Sequence, residues 1–418
     1  MEVFKFGGAS VKDADSILNL HGILRKYADM PLVVVVSAMG KTTNLLESVW
    51  KSKNEAEVEK LISTFRDFHL EAAENLLEKE HEFFNWFNDL TENLKRKVIH
   101  NSHNDEDYSR IVSFGELAST RLIQASLHEQ GQDLIWLDAR DLIKTEQHFV
   151  GALVDWDKTI KTVISSIEKS GFQYITQGFI SSNHDGHTTT LGREGSDFSG
   201  SILASALKAE KYTIWKDVPG VLSADPRIER VTTCYQKLTY QEAAEMTFYG
   251  VKAIHPKTIK PLANHDIPLC VRSFMELDNP GTLITRESTK PHAPAIIYRF
   301  NQALMTFLVA DFTFVNEDHI SGILNYLNDH RISVNLMQTS AVSISFCMDE
   351  NSELLEEMRK DFVGIFKMSY NSGLKLVTIK NYDSKALNGV TKGFEILMEQ
   401  KTRNNYRAVF RGALNEPA

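Results

Sequence analysis

The sequence predicts an α/β protein: a mainly parallel sheet covered by helices, with smaller α+β modules after it. Three observations predict this. Residues 2–6 have the pattern of a short strand ending in Gly7-Gly8, and residues 31–37 form a valine-rich run, as in a strand buried on both faces. Helical segments alternate with these runs, as in a parallel sheet. Beyond residue 295 short strands alternate with helices, which reads as two small βαββαβ modules.

In order, residues 14–27 are an amphipathic helix, the valine run follows, and a further helix starts near Asn44. Residues 55–128 are highly charged, lack proline and carry one glycine, Gly115. They read as several helices capping one end of the sheet, with a break at Gly115. Strands resume at 133–137 and at 171–177, the latter before a turn at Gly178. Thr188-Thr189-Thr190 ends a β-branched strand, Gly192 and Gly195 bracket a turn, and a helix starts at Ser196 or Asp197. A strand at 212–215, a helix at 240–248 and a late strand at 268–273 complete the first domain. Two prolines between 289 and 294 end it. Further strands are expected at 295–300, 306–310, 333–337, 343–348 and 375–379, with helices near 320–330, 352–360 and 388–400. The resulting division is a first domain at 1–290, with a helical insert at about 55–130, and two modules at 295–418. The first module, about 304–370, is inserted in the second, 295–303 plus 371–418.

The chain has 418 residues, enough for two or three domains. Hydrophobic residues make up 42% and charged residues 24%, the balance of a soluble globular protein. A net charge of −9 argues against a nucleic-acid partner, so any phosphate site must concentrate positive charge locally. Cys234, Cys270 and Cys347 lie far apart without metal spacing and fit buried thiols in a reducing compartment. The N-terminal segment lacks a signal peptide's basic region and long apolar run. The longest apolar run, near 32–36, is far too short to span a bilayer. A cytoplasmic protein with no membrane partner is expected.

Several turns could carry chemistry. Gly192-Arg193-Glu194-Gly195-Ser196-Asp197 sets free helix N–H groups beside a loop, a position suited to phosphate, and adds a guanidinium, a hydroxyl and a carboxylate. Its plainer reading is a capped turn with Asp197 as the N-cap. Lys5-Phe6-Gly7-Gly8-Ala9-Ser10 is either a simple turn or a phosphate cradle with one mobile charge. Gly40-Lys41-Thr42 fails as a P-loop, because Val35 stands where the first glycine is needed. Ser37, Thr42 and Thr43 are a ligand-facing set of hydroxyls, or else Thr42 or Thr43 is simply a helix N-cap. Glu116 is either a solvated helix charge or an acid aimed at a ligand amine. Residues 215–227 hold two close turns, Val218-Pro219-Gly220 and Asp225-Pro226, after a strand, where open α/β sheets bind ligands. Gly250 to Lys257 adds cations, and His255 reads as a helix-boundary or core histidine rather than a ligand.

These motifs together are highly specific. Lys5-Phe6-Gly7-Gly8-Ala9-Ser10-Val11, Ser37-Ala38 with Thr43-Asn44, Phe114-Gly115-Glu116, Leu191-Gly192-Arg193-Glu194-Gly195-Ser196-Asp197, Asp217-Val218-Pro219-Gly220 with Asp225-Pro226-Arg227, and Lys252 with His255-Pro256 occur in order. The set resembles the aspartate kinases of the amino-acid-kinase superfamily over essentially the whole chain, including two C-terminal ACT-like modules. The resemblance implies a three-layer αβα sandwich with a mainly parallel sheet, followed by ACT-like regulatory modules. It implies a monofunctional enzyme, without the homoserine dehydrogenase fused to some relatives. The implied reaction is ATP-dependent phosphorylation of the L-aspartate β-carboxylate to 4-phospho-L-aspartate and ADP, the first step of lysine, threonine and methionine biosynthesis. By matching position, Lys5 stabilises the transferring group. Ser37, Thr43, Glu116, Arg193, Glu194, Gly195 and Ser196 hold aspartate. Lys5, Gly7, Gly8, Lys216, Asp217, Leu222, Arg227, Lys252 and Ala253 line the ATP site. No resident metal is implied; Mg²⁺ comes with ATP.

The residue chemistry agrees. Arg193 suits a bidentate carboxylate grip, and Glu116 suits an ammonium. A carboxylate nucleophile, with an ordinary pKa of ~3.9, needs no base at neutral pH. Its difficulty is approach to an anionic phosphate. Two like unit charges at ~4 Å cost roughly 4 kcal/mol at an effective dielectric of ~20. Catalysis must therefore be mainly positioning and neutralisation, and Asp197 reads as an organiser of Lys5 or of Mg²⁺, not a proton acceptor.

Three positions depart from the family pattern: Ala9 for threonine, Glu194 for glycine, and Leu222 for an aromatic. Glu194 is expected to point away or pair with a lysine. In lysine-inhibited relatives the first ACT-like module binds lysine between subunits. The matching positions here, Asp318, Ile320, Asn335, Ser340 and Ala341, lack two expected carboxylates and carry one where a glycine is usual. ACT modules commonly pair across a two-fold axis, so a homodimer or higher homo-oligomer is expected. The alternatives are another amino-acid kinase and a catalytically inactive ACT ligand sensor. The altered effector positions predict weak or absent lysine inhibition; a lysine titration that gives strong submillimolar inhibition would refute it.

Overall fold

The computed structural model describes residues 1–168, 171–251, 253–287, 293–310 and 313–412. The chain forms two compact units. One comprises Met1–Val221, Cys234–Ala244 and Lys252–Thr289; the other comprises Leu222–Thr233, Glu245–Val251 and Lys290–Ala418.

The strands of the first unit are β1 (Glu2–Phe6), β2 (Leu32–Val36), β3 (Ile135–Leu137), β4 (Gln173–Gln177), β5 (Ile180–Ser182), β6 (Thr188–Thr190), β7 (Tyr212–Lys216), β8 (Lys237–Thr239), β9 (Leu269–Ser273) and β10 (Thr282–Thr285). Among the described residues, eight of them form one sheet in the order β3-β4-β2-β1-β7-β9-β10-β8. Every neighbouring pair is parallel except β9 with β10. β5 and β6 form a separate antiparallel hairpin, so the three threonines do not join the main sheet. Phe6 lies in register with both Val36 and Trp215, and Val36 with Gln177. The carboxyl ends of β4, β2, β1 and β7 are therefore level, and the loops leaving them share one edge.

The helices of this part of the chain are α1 (Ala14–Arg25), α2 (Thr42–Lys51), α3 (Glu55–Leu76), α4 (Glu82–Ile99), α5 (Asp105–Glu129), α6 (Ala139–Leu142), α7 (Trp156–Ser166), α8 (Gly195–Leu207), α9 (Tyr240–Tyr249) and α10 (Pro256–Asn264). Side chains of Asp13, Asn54, Asn104 and Asp155 cap α1, α3, α5 and α7 by accepting from backbone N–H groups of the first turn. β1 and β2 are buried throughout, as the valine run predicts. On one face Phe6 stacks on Trp215 at 5.9 Å between centroids, and the Arg272 guanidinium lies 4.9 Å over the same indole.

The expected break at Gly115 does not occur, because α5 runs unbroken through it. Its role is close approach. A Cβ there would stand 2.9 Å from Thr42 Cγ2 and 3.2 Å from Leu46 Cδ1, so the bare backbone lets α2 lie against α5.

In the second unit β11 (Ala295–Val309), β12 (Val334–Thr339), β13 (Ser343–Asp349), β14 (Phe366–Lys380), β15 (Glu395–Lys401) and β16 (Asn405–Arg411) form an antiparallel sheet ordered β12-β13-β11-β14-β16-β15. Its helices are α11 (Glu317–Asp329), α12 (Ser352–Asp361) and α13 (Ser384–Thr391). The two strands expected at 295–300 and 306–310 are one strand with irregular register between Arg299 and Leu304, where Asn301 turns left-handed at φ 52. The helix expected at 388–400 is also corrected. α13 stops at Thr391, Gly393 takes φ 89, and the next residues become β15. A left-handed glycine just past a helix ends it at little cost. The boundary expected at 289–294 falls partly on residues 288–292, outside the described residues.

Two histidines are buried in the first unit. His69 donates from Nδ1 to the Phe65 carbonyl at 2.8 Å while Nε2 has no partner, and it packs among Phe65, Phe68 and Phe87. Burial lowers its pKa to about 4 against the pull of that carbonyl. Burial, helped by Arg25, lowers His21 to about 4 as well. Both stay neutral in the folded state and titrate near 6.5 when unfolded, so their contribution is complete above 6.5 and is lost as pH falls toward 4. Each should steepen the acid loss of stability by about 1.4 kcal/mol per pH unit. In urea denaturation across that window His69→Leu should remove one such contribution; an unchanged slope would contradict it.

Candidate active site

Lys5 is the fourth residue of β1 and Lys216 the last of β7. Lys5 pairs with Ile214, and side chains alternate along a strand, so Lys5 and Lys216 project from the same face. There they meet Asp197. Lys5 Nζ lies 2.5 Å from Asp197 Oδ1, and Lys216 Nζ lies 3.3 Å from Oδ2. The Asp197 side chain is 0% exposed, that of Lys5 8% and that of Lys216 18%. Burial alone would raise the Asp197 pKa, but the Lys5 and Lys216 ammonium groups outweigh it and hold the carboxyl below its ordinary value.

Asp197 is the third residue of α8, not its N-cap. The cap is Glu194, with left-handed backbone at φ 53 and no side-chain capping bond. A glycine adopts that conformation freely, whereas a glutamate does so at a cost of roughly 1 kcal/mol. The Glu194 side chain is exposed. Below, the Tyr212 hydroxyl donates to the Asp197 carbonyl at 2.9 Å, and a side chain at Gly200 would overlap that hydroxyl.

Glu116, on α5, is 3% exposed, and its Oε2 has no partner. Burial pushes its carboxyl up to about 8, against the Lys5 charge and an Ala38 N–H. Two carboxyl groups beside one lysine are thus held in opposite states.

The turns after β1 and β2 are stitched together. Gly40 N–H donates to Gly8 O at 3.1 Å, Ser37 N–H donates to Phe6 O at 3.1 Å, and Ser119 Oγ donates to Ser37 O at 2.8 Å. A Cβ at Gly8 would stand 2.7 Å from Ala38 O. Gly7 and Gly8 therefore keep backbone at the surface beside Lys5. Ser37, Thr43 and Ser196 are half-buried, Gly195 is buried, and Arg193 and Asp217 are exposed. His255 caps α10 by accepting the Lys257 N–H on Nδ1 at 3.2 Å, a helix-boundary residue as read. Burial first, then Lys257, lowers its pKa, and the charges of Glu194, Arg193 and Asp197 also reach it. Ala253 is half-buried, and Lys252 lies outside the described residues. Leu222 and Arg227 belong to the second unit, where Arg227 grips Asp225 with two donors at 2.8 and 3.1 Å.

The amino acid kinase family model matches residues 1–273. The chain is 30% identical over 412 residues to the lysine-sensitive aspartokinase 3 of Escherichia coli (strain K12), covering 93% of this chain and 89% of that one. The chain belongs to the aspartokinases of the amino acid kinase family. Two crystal structures of Escherichia coli aspartokinase III align over 98% of this aspartokinase at 29% identity. One, in complex with aspartate and ADP, is covered to 96% with a TM-score of 0.83. The other, in complex with lysine and aspartate, is covered to 95% with a TM-score of 0.84.

The effector positions fall into two places in this aspartokinase. Asp318 and Ile320 lie in the first turns of α11, and Val315 N–H donates to Ala341 O at 2.9 Å, so Ser340 and Ala341 approach that helix end. Asn335 sits near the other end of β12. It is buried, donates to Gln302 and Asp349, and accepts from Arg407 on its carbonyl at 2.6 Å. The structure does not bring it to Ser340.

The pairing of Lys216 with Asp197 was missed from sequence. Its signal is a lysine closing the strand Tyr212-Thr213-Ile214-Trp215, much as Lys5 stands one residue from the end of the first strand. Asp197→Asn would leave two ammonium groups without their shared counter-charge. Denaturation should report a loss of about 3 kcal/mol, and kcat should fall on the order of a hundredfold. Near-normal turnover would refute the role given to Asp197.

Proposed function

We propose that this chain transfers the γ-phosphoryl group of ATP to the β-carboxylate of L-aspartate, giving 4-phospho-L-aspartate and ADP. The observation that carries the reading is the buried Asp197 between Lys5 and Lys216, together with a buried Glu116 that feels the Lys5 charge and keeps one oxygen without a partner. The relative crystallised with aspartate and ADP supports it.

The attacking carboxylate is ionised at neutral pH, so no residue has to remove its proton. What the protein supplies is neutralisation and alignment. Lys5 and Lys216 bring two positive charges to the carboxyl ends of β1 and β7, where they would face the phosphoryl oxygens. Asp197 holds both ammonium groups in place. Gly7 and Gly8 offer backbone N–H groups without side chains in the way, and the first turn of α8 adds free N–H groups. By motif, Arg193 and Ser196, with Ser37 and Thr43, would hold the substrate carboxylates, and Glu116 its ammonium. Lys216 and Asp217, followed by motif, belong to the nucleotide side with Ala253. Among the described residues no cluster of three or more His, Cys, Asp or Glu could hold a metal ion. Mg²⁺ is taken to enter on the ATP phosphates, as part of the substrate, as the family resemblance implies.

We further infer a cytoplasmic homo-oligomer joined through the ACT-like modules, with weak or absent lysine inhibition or a different amino-acid effector. No helix among the described residues is long and apolar enough to cross a membrane.

ADP release with Mg-ATP and L-aspartate, L-glutamate or N-acetylglutamate tests the reaction. Turnover with aspartate alone is expected; turnover only with another acid, or with none, would overturn the reading. Glu116 adds a pH signature. Its folded pKa is raised, so its neutral form stabilises the free protein at low pH and that contribution is lost as pH rises through about 8. An ammonium ligand needs the ionised form. KM for aspartate should therefore fall as pH rises toward about 8, and Glu116→Gln should flatten the profile at a high KM. A flat wild-type profile would contradict this role.

A further inference from the structure

The loop that carries Arg193 is fastened at both ends by one residue, Phe179. Phe179 follows β4 and has φ 68, a left-handed conformation that is an outlier for a bulky side chain. Ile180 N–H donates across it to Gly178 O at 2.7 Å, so residues 178–180 form the rare γ-turn with positive φ. The turn is anchored behind by Gly178 N–H, which donates to Val36 O at 2.9 Å. Three contacts then reach forward. The Phe179 carbonyl accepts Leu191 N–H at 2.9 Å, where the loop begins. Its own N–H donates to Ser199 Oγ at 2.9 Å, and that hydroxyl donates on to Gly195 O at 3.1 Å. Its ring covers Gly195, where the loop ends: a Cβ there would stand 2.6 Å from Phe179 Cδ2. The half-buried Phe179 also packs against the small apolar cluster of Leu117, Ala139 and Ile180, and Leu117 directly follows Glu116 in α5.

We propose that Phe179 is a positioning residue for aspartate binding, its strained turn stapling residues 191–195 so that Arg193 and Ser196 are held relative to Glu116. This rests on the aspartate reading of the site. Strained backbone persists only where its surroundings fix it, and here those surroundings are the two ends of the ligand loop. Phe179 is given no contact with the reacting atoms.

The test is a double-mutant cycle on the full-length chain. Phe179→Ala removes the ring and keeps the strain; Phe179→Gly removes both. Each should raise KM for aspartate at least tenfold and leave KM for ATP within about twofold. Gly195→Ala should raise KM for aspartate too, because its methyl group meets the ring. In Phe179→Ala/Gly195→Ala the two effects should fall short of multiplying by threefold or more, since the ring that opposed the methyl is gone. Hydrogen exchange at the Leu191 amide should speed up in both Phe179 variants, a readout that needs no turnover. Multiplicative effects, an equal rise in both KM values, or an unchanged Leu191 amide would overturn the proposal. Absence of aspartate turnover in the unmutated chain would instead overturn the reading of the reaction, and the exchange experiment would still decide the staple.

Discussion

Everything at the candidate site depends on one buried carboxylate between two ammonium groups. Asp197 is fully shielded from solvent and would be an unaffordable charge alone; Lys5 and Lys216 make it tolerable, and it makes them tolerable in turn. The arrangement needs two neighbouring parallel strands, each carrying a lysine near its carboxyl end on the same face, and a helix whose first turn descends onto that face. The net charge of −9 is thus no obstacle to binding anions, because the positive charge is concentrated where strand ends and a helix N-terminus converge.

A second constraint is close approach. Gly8, Gly115, Gly178, Gly195 and Gly200 all lie where a Cβ would collide with backbone or a packed side chain. They let the turns after β1 and β2, the long helix α5 and the first turn of α8 crowd round the lysines. Glu116 arrives through the same crowding, and its burial is what pushes its carboxyl up to about 8. A buried acid with a partnerless oxygen and an acid already holding two ammonium groups are set apart by environment, not by residue type.

Much of this was legible in the sequence. The valine run and the alternation of strands with helices pointed to the parallel sheet, and the ordered motifs to the family. What stayed hidden depends on partners remote in sequence. Gly115 looked like a helix breaker because propensity cannot see Thr42 and Leu46 lying against it. Asp197 could be read as a cap because the left-handed Glu194 that takes that place is invisible in composition. The helix expected across Gly393 failed because a glycine that looks tolerable in a helical pattern becomes a stop when it turns left-handed. Asn335, matched by position to an effector pocket, is committed to Gln302, Asp349 and Arg407, a network no local pattern announces.

The central claim is that Asp197 orders two ammonium groups and takes no proton from the substrate. The most direct test is the solvent isotope effect on the phosphoryl-transfer step, measured by single turnover with Mg-ATP and aspartate in H₂O and D₂O. The account predicts equal rates, because the attacking carboxylate carries no proton to lose. A clearly slower transfer in D₂O would place a proton in flight and make Asp197 a base rather than an organiser.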